Sequence, residues 1–175
     1  MKNTGVIRRI DDLGRIVIPK DIRKTLRIKD GESLEIFLSS DNIVLKKYSP
    51  LEGLQNFYKT YAESIFSEIG NNVMVVDRDR IVAVSGDLRK KYLDKPISQK
   101  MDSIIQNRAI ISSKDKSKIE IISDDNVDAS YVIAPIITNG DAVGAFIIMS
   151  VSDSIDDFII KTGSIAAKIL GKYIE

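Results

Sequence analysis

The side chains best placed to do chemistry in this sequence are cations near its N-terminus. Arg15 directly follows the turn signal Asp12-Leu13-Gly14, where a long side chain projects from a hairpin. Arg23 and Lys24 are neighbours in a short segment that reads as helix. A guanidinium is a planar fork that matches the paired acceptors of a guanine edge or a phosphate, whereas an ammonium is a point charge without that geometry. The same residues have a structural reading, in which Arg15 or Arg9 pairs with Asp11 or Asp12 and fixes the turn. The two roles are compatible. Gly14 is expected to permit a positive φ in the turn and not to touch a ligand.

Charge is distributed in a way that fits the first reading and equally a solvated basic surface. Residues 1–50 carry 11 Lys/Arg against 7 Asp/Glu, net +4; the whole chain has 26 against 25, which leaves 15 against 18, net −3, for residues 51–175. Residues 1–29 alone hold nine basic and three acidic side chains, a field that a polyanion would feel.

Other chemistry is narrowly bounded. The chain has 0 His and 0 Cys, which removes the commonest general base, the commonest zinc ligand, any thiolate and any disulfide framework. No pair of carboxylates stands out by spacing as acid and base, so neither an enzyme nor a resident cofactor is expected. Arg78, Arg80, Ser85 and Lys118 read either as the lining of a polar pocket or, the reading we favour, as exposed turn and strand-edge groups. The run Asp124, Asp125 and Asp128 lacks the glycine and distal glutamate of a calcium loop, and we take it for a solvated loop. No apolar run approaches the roughly 20 residues that span a bilayer, and MKNTGVIRRI lacks an apolar signal region, so no membrane association and a cytoplasmic location are expected.

The elements that must position the cations are short. Thr4 to Ile10 and Arg15 to Ile18 read as strands flanking the turn, and Pro19 suits the start of a helix over about Lys20 to Leu26. Leu34 to Leu38 and Ile43 to Leu45 follow as strands joined by Ser39-Ser40-Asp41-Asn42, after Lys29-Asp30-Gly31-Glu32 closes the first part. So few short elements cannot bury much surface, and a partner chain is expected to complete the core. Tyr48-Ser49-Pro50-Leu51 marks a boundary. The expected division is residues 1–50, a linker at 51–55 and a second domain at 56–175.

In that second domain, Leu54 to Ile69 has apolar residues at helical spacing and ends at Gly70. Val73 to Asp77 and Ile81 to Ser85 read as strands around Arg78-Asp79-Arg80. Residues 88–108 read as helix in pieces, with Pro96 interrupting and Ser98 as an N-cap. Strands at Lys118 to Ile122, Tyr131 to Thr138 and Val143 to Val151 follow, the last two joined at Asn139-Gly140-Asp141. A helix over Ser154 to Ile174 closes the chain, its apolar face built from Ile155, Phe158, Ile159, Ile165, Ile169 and Leu170. The class is α+β, an antiparallel sheet flanked by helices.

The segment TGVIRRIDDLGRIVIPKDIRKTLRI, with LEIF and the apolar-to-basic run ending in KKYSP after it, resembles the AbrB-type swapped-hairpin domain of bacterial transition-state regulators. The rest of the chain resembles a GAF domain, and the two in this order resemble a family of sporulation regulators. The resemblance implies that two chains interleave their hairpins into one dimeric β-barrel and that Arg8, Arg9, Arg15, Arg23 and Lys24 contact double-stranded DNA. Lys24 stands where relatives often carry Arg. It also implies a tetramer paired through the C-terminal domains and room there for an unidentified small molecule.

Two function classes follow. The first is a homo-oligomeric, sequence-specific transcriptional regulator of sporulation genes, activating or repressing by site position. The second is an antitoxin-like interaction module with autoregulatory DNA binding, since toxin-antitoxin systems use the same hairpin module. Against the second, residues 56–175 carry strand and helix periodicity where a disordered toxin-binding tail would be expected.

Overall fold

The structure is a computed structural model that describes residues 5–28, 30–49 and 53–175. Thr4, Lys29 and the boundary residues Pro50 and Leu51 therefore lie outside the described residues. The chain divides into two compact units, residues 1–48 and 49–175.

The first unit contains one helix, α1 (Lys20–Thr25), and one hairpin, β1 (Leu34–Ser39) with β2 (Asn42–Lys47). The strands reach further into the polar turn than expected: Ser39 pairs with Asn42, which leaves Ser40 and Asp41 as a two-residue turn with Ser40 at φ 52. The flanks of the N-terminal turn differ from expectation. Residues 5–10 and 15–18 are assigned to no strand, and only the turn between them is closed. Their apolar side chains face solvent: Ile7 is 90% exposed and Val17 74%, and in β1 Leu38 is 83% exposed. No described residue of this unit is buried. A single copy lacks the surface against which these strands could pair and pack.

The second unit is a five-stranded antiparallel sheet in the order β4-β3-β7-β6-β5 with helices on both faces. Its elements are α2 (Gln55–Ile69), β3 (Asn72–Asp77), β4 (Ile81–Ser85), α3 (Arg89–Tyr92), α4 (Gln99–Gln106), β5 (Ile111–Glu120), β6 (Asn126–Thr138), β7 (Asp141–Ser150) and α5 (Asp157–Tyr173). Gly70 ends α2 in the left-handed conformation at φ 69, its N–H donating to the Phe66 carbonyl at 2.8 Å. The Ser98 hydroxyl accepts from the Met101 N–H at 3.0 Å and starts α4. Asn139 and Gly140 both have positive φ, 48 and 82, which closes the β6–β7 hairpin tightly.

Strand β5 begins seven residues earlier than its apolar pattern indicates. It is an edge strand whose first half, Ile111 to Ser117, is largely polar and exposed, so its pairing with β6 supplies the strand signal that periodicity does not. One core lies under α2 and α5, around Tyr58, Val75, Val132 and Phe146. The other lies under α3 and α4, around Met74, Tyr92, Met101 and Ile133.

The last helix corrects one expectation. It starts at Asp157, three residues later than expected, and its N-cap is Asp156, with the carboxylate accepting from the Ile159 N–H at 2.9 Å. The residues it buries are Gly163, Ala166, Ala167, Leu170 and Gly171, while Phe158 (66%), Ile165 (58%) and Ile169 point to solvent. A Cβ at Gly163 would lie 2.8 Å from Val132 Cγ1, so small residues let α5 sit close to the sheet. No described helix is long and apolar enough to cross a membrane.

Candidate nucleic-acid interface

Residues 8–24 contain all five candidate contacts. The turn at Asp11 to Arg15 is held from inside by one carboxylate. Asp11 Oδ1 accepts from the backbone N–H groups of Leu13 (3.0 Å) and Arg15 (2.7 Å). Gly14 donates to the Asp11 carbonyl at 3.0 Å and the Asp11 N–H donates to the Arg15 carbonyl at 3.1 Å, with Gly14 at φ +76 as the left-handed residue. The second carboxylate oxygen, Oδ2, accepts from Arg15 Nε at 2.7 Å. The Arg15 N–H, then the guanidinium, hold the Asp11 carboxyl below its ordinary range. Arg15 thus fixes the turn through Nε, and its side chain remains 72% exposed.

Arg8 and Arg9 are exposed on the segment that enters this turn. Arg23 and Lys24 come from α1. Pro19 precedes that helix, and its carbonyl accepts from the Arg23 N–H at 3.0 Å. The helix closes with paired bonds from Ile28 N–H to Arg23 O (2.8 Å) and Arg27 N–H to Lys24 O (3.1 Å), Arg27 taking the left-handed conformation at φ 53. This cap sets the end of the helix at the two cations, where positive charge also suits the helix dipole. Arg23 is half-buried and reaches Asp30 through Nη1 at 2.5 Å, a pairing that sequence spacing did not suggest because the two lie seven residues apart across a turn. Lys24 is exposed.

The candidates in the second unit are not brought together. Arg78 and Arg80 lie at the β3–β4 turn, while Ser85 ends β4 at one edge of the sheet and Lys118 sits in β5 at the other. The acidic run is likewise divided. Asp125 accepts from the Tyr92 hydroxyl at 2.8 Å and pairs with Lys91 Nζ at 2.8 Å, whereas Asp128 lies opposite Lys118 in the β5–β6 ladder. Among the described residues no group of carboxylates could hold a metal ion.

One polar group sequence reading passed over is Asp77, at the end of β3. It is buried, accepts from the Ser49 hydroxyl at 2.8 and 2.9 Å and from the Arg78 N–H at 2.7 Å, and desolvation pushes its carboxyl above the ordinary value. A lone aspartate closing an apolar strand was the signal available.

Residues 53–175 match the family described as stage V sporulation protein T C-terminal, transcription factor, and residues 7–52 match the antidote-toxin recognition MazE family of bacterial antitoxins. Stage V sporulation protein T of Bacillus subtilis is 41% identical over 177 aligned residues, spanning 100% of this chain and 99% of that protein. The transition state regulatory protein AbrB of the same organism is 50% identical over 50 residues, 29% of this chain and 52% of AbrB. Among solved structures, the PixJ GAF domain of Thermosynechococcus elongatus superposes with a TM-score of 0.55 at 15% identity, over 74% of this chain and 89% of that one. The fold of the second unit is thus that of a GAF domain.

Proposed function

The chain belongs to the stage V sporulation protein T family of transcription factors, and on that premise we propose that its N-terminal region reads an operator while its GAF-like region governs assembly. The carrying observation is the relationship at 41% identity across the whole length of both proteins. Residues 1–50 form the DNA-binding domain in this reading, 51–55 the linker and 56–175 the second domain. Arg8, Arg9, Arg15, Arg23 and Lys24 are its DNA contacts: the guanidinium forks pair with guanine edges or phosphates, and Lys24 neutralises a phosphate. The targets are sporulation genes, activated or repressed according to operator position, and the site of action is the nucleoid in the cytoplasm.

Assembly follows from exposed apolar surface. Val17, Ile36 and Leu38 lose their solvent contact if two chains interleave hairpins into one barrel, which supports a dimer through the first unit. Phe158, Ile165 and Ile169 form a stripe on α5 at spacings of seven and four, which supports pairing of dimers into a tetramer. A small molecule is a further partner in this reading, and the face under α3 and α4 is lined by buried side chains such as Tyr92 and Met101.

The match of residues 7–52 to an antitoxin family favours a second reading, an antitoxin-like module that binds DNA autoregulatorily. It is the weaker one, because the remaining 53–175 match a transcription-factor family and fold as a sheet with helices.

The test is DNA affinity against salt for the full chain and for a variant with Arg8, Arg15 and Arg23 all replaced by Ala. Each phosphate contact adds roughly 0.9 to the negative slope of log affinity against log salt. A shallower slope and lost sequence preference in the variant are expected. An unchanged slope and preference would reject these residues as the site.

A further inference from the structure

We propose that Asp11 is a positioning residue for DNA recognition, holding the Arg15 guanidinium by its Nε edge so that both terminal nitrogens stay available for a guanine edge or a phosphate. This rests on the reading of Arg15 as a DNA contact. The division of labour within one carboxylate carries the inference. Oδ1 is committed to the turn, accepting from the Leu13 and Arg15 N–H groups, while Oδ2 is committed to Arg15 Nε at 2.7 Å. Neither Nη atom of Arg15 donates to a protein acceptor among the described residues. A carboxylate bonded through Nε restrains the guanidinium and leaves its other edge, the one that can form two parallel hydrogen bonds, uncommitted.

Stability does not explain the contact, since an exposed pair of this kind contributes little to folding. It instead orders a long side chain before DNA arrives, so that less freedom is lost on binding. Arg23 provides the contrast. Its partner Asp30 is reached through Nη1 at 2.5 Å, so that carboxylate occupies a nitrogen the DNA would need and acts as a competitor.

Electrostatics alone predicts that removing either carboxylate tightens binding to all DNA. Positioning predicts a loss of specificity from Asp11 only. The clean substitution is Asp11→Asn, whose Oδ1 still accepts both turn bonds while its amide cannot accept from Arg15 Nε. The experiment uses full-length chains, a duplex enriched by the unsubstituted protein from a random-sequence pool, and a scrambled duplex of equal composition. Its readout is the ratio of the two affinities by fluorescence anisotropy at fixed salt.

Asp11→Asn is expected to lower that ratio about tenfold, within the discrimination of one bidentate base contact. Asp30→Asn is expected not to lower it. In an Arg15→Ala background, Asp11→Asn is expected to change the ratio less than twofold, because its effect passes through the missing guanidinium. Asp11→Ser keeps a short acceptor for the turn and should repeat the Asp11→Asn result, with thermal melting of each variant to verify folding. The proposal is overturned if Asp11→Asn leaves the ratio unchanged while Arg15→Ala lowers it, or if the loss persists in the Arg15→Ala background. If Arg15→Ala alone changes neither ratio nor salt slope, the reading of Arg15 as a contact fails, and the proposal falls with it.

Discussion

Gly171 of α5 packs directly on the carbonyl of Ile137 in β6: a Cβ at that position would lie 2.3 Å from the oxygen. Backbone cannot yield as a flexible side chain does, so the contact sets how close the helix approaches the sheet.

Gly171→Ala should therefore destabilise the protein. In an exposed helix this change stabilises by up to about 1 kcal/mol, but overpacking against a fixed carbonyl costs about 1–3 kcal/mol. A lower melting temperature for the full chain is the expected result, and an unchanged or higher one would show that α5 moves away freely.

Asp77 should make the protein less stable as pH rises. Its folded-state carboxyl is raised by desolvation, so the proton is held more tightly in the folded than in the unfolded chain. That contribution is fully present below the ordinary value of 3.8 and is lost as pH climbs through the raised folded value. Asp77→Asn removes the charge, so its stability relative to the parent should grow across that window. Chemical unfolding at several pH values measures the difference, and a constant difference would contradict the burial argument.

Asp125 should behave with the opposite sign. Partial burial pushes its carboxyl up, but the hydrogen bonds from Lys91 and Tyr92 outweigh that and leave it below the ordinary range. Its contribution is present above 3.8 and disappears as pH falls through the lowered folded value. Tyr92→Phe should cost about 0.5–1.5 kcal/mol at neutral pH, the value of one hydrogen bond. The cost should shrink in acid, and a pH-independent loss would point to packing around the ring.

Charge on the outer face of α5 should separate subunits without unfolding them. Ile165 is exposed in the single chain, so Ile165→Lys costs little folding stability there. In an assembly that buries this stripe it would bury an unpaired ammonium. Sedimentation is expected to show a smaller species with an unchanged melting curve at low concentration. The same mass for both proteins would place the interface elsewhere.

Much of the fold was legible in the residues. Gly70, Ser98 and Asn139-Gly140 each act within a few residues of chain, through a left-handed cap, a side-chain cap and a tight hairpin, so their signals do not depend on the rest of the molecule. The turn at Asp11 to Arg15 and the short helix that carries Arg23 and Lys24 were legible for the same reason, each being closed by bonds within a few residues. Strand β5 was half legible, because a polar edge strand is defined by its neighbour and not by its own pattern.

What the sequence determined by itself, then, was local: the caps, the turns, the helical and strand periods and the split in charge between the two ends. Tertiary structure decided which side of each period is the inside. On α5, large apolar residues and small ones share the helical spacing, and only the closeness of the sheet selects Gly163, Ala166, Ala167 and Gly171 as the buried face. Tertiary structure also decided that Asp125 pairs with Lys91 and Tyr92, since partners more than thirty residues apart leave no spacing to read. Hydrophobic pattern reports that a residue prefers to leave water; which surface receives it depends on the distance and shape of the surface opposite.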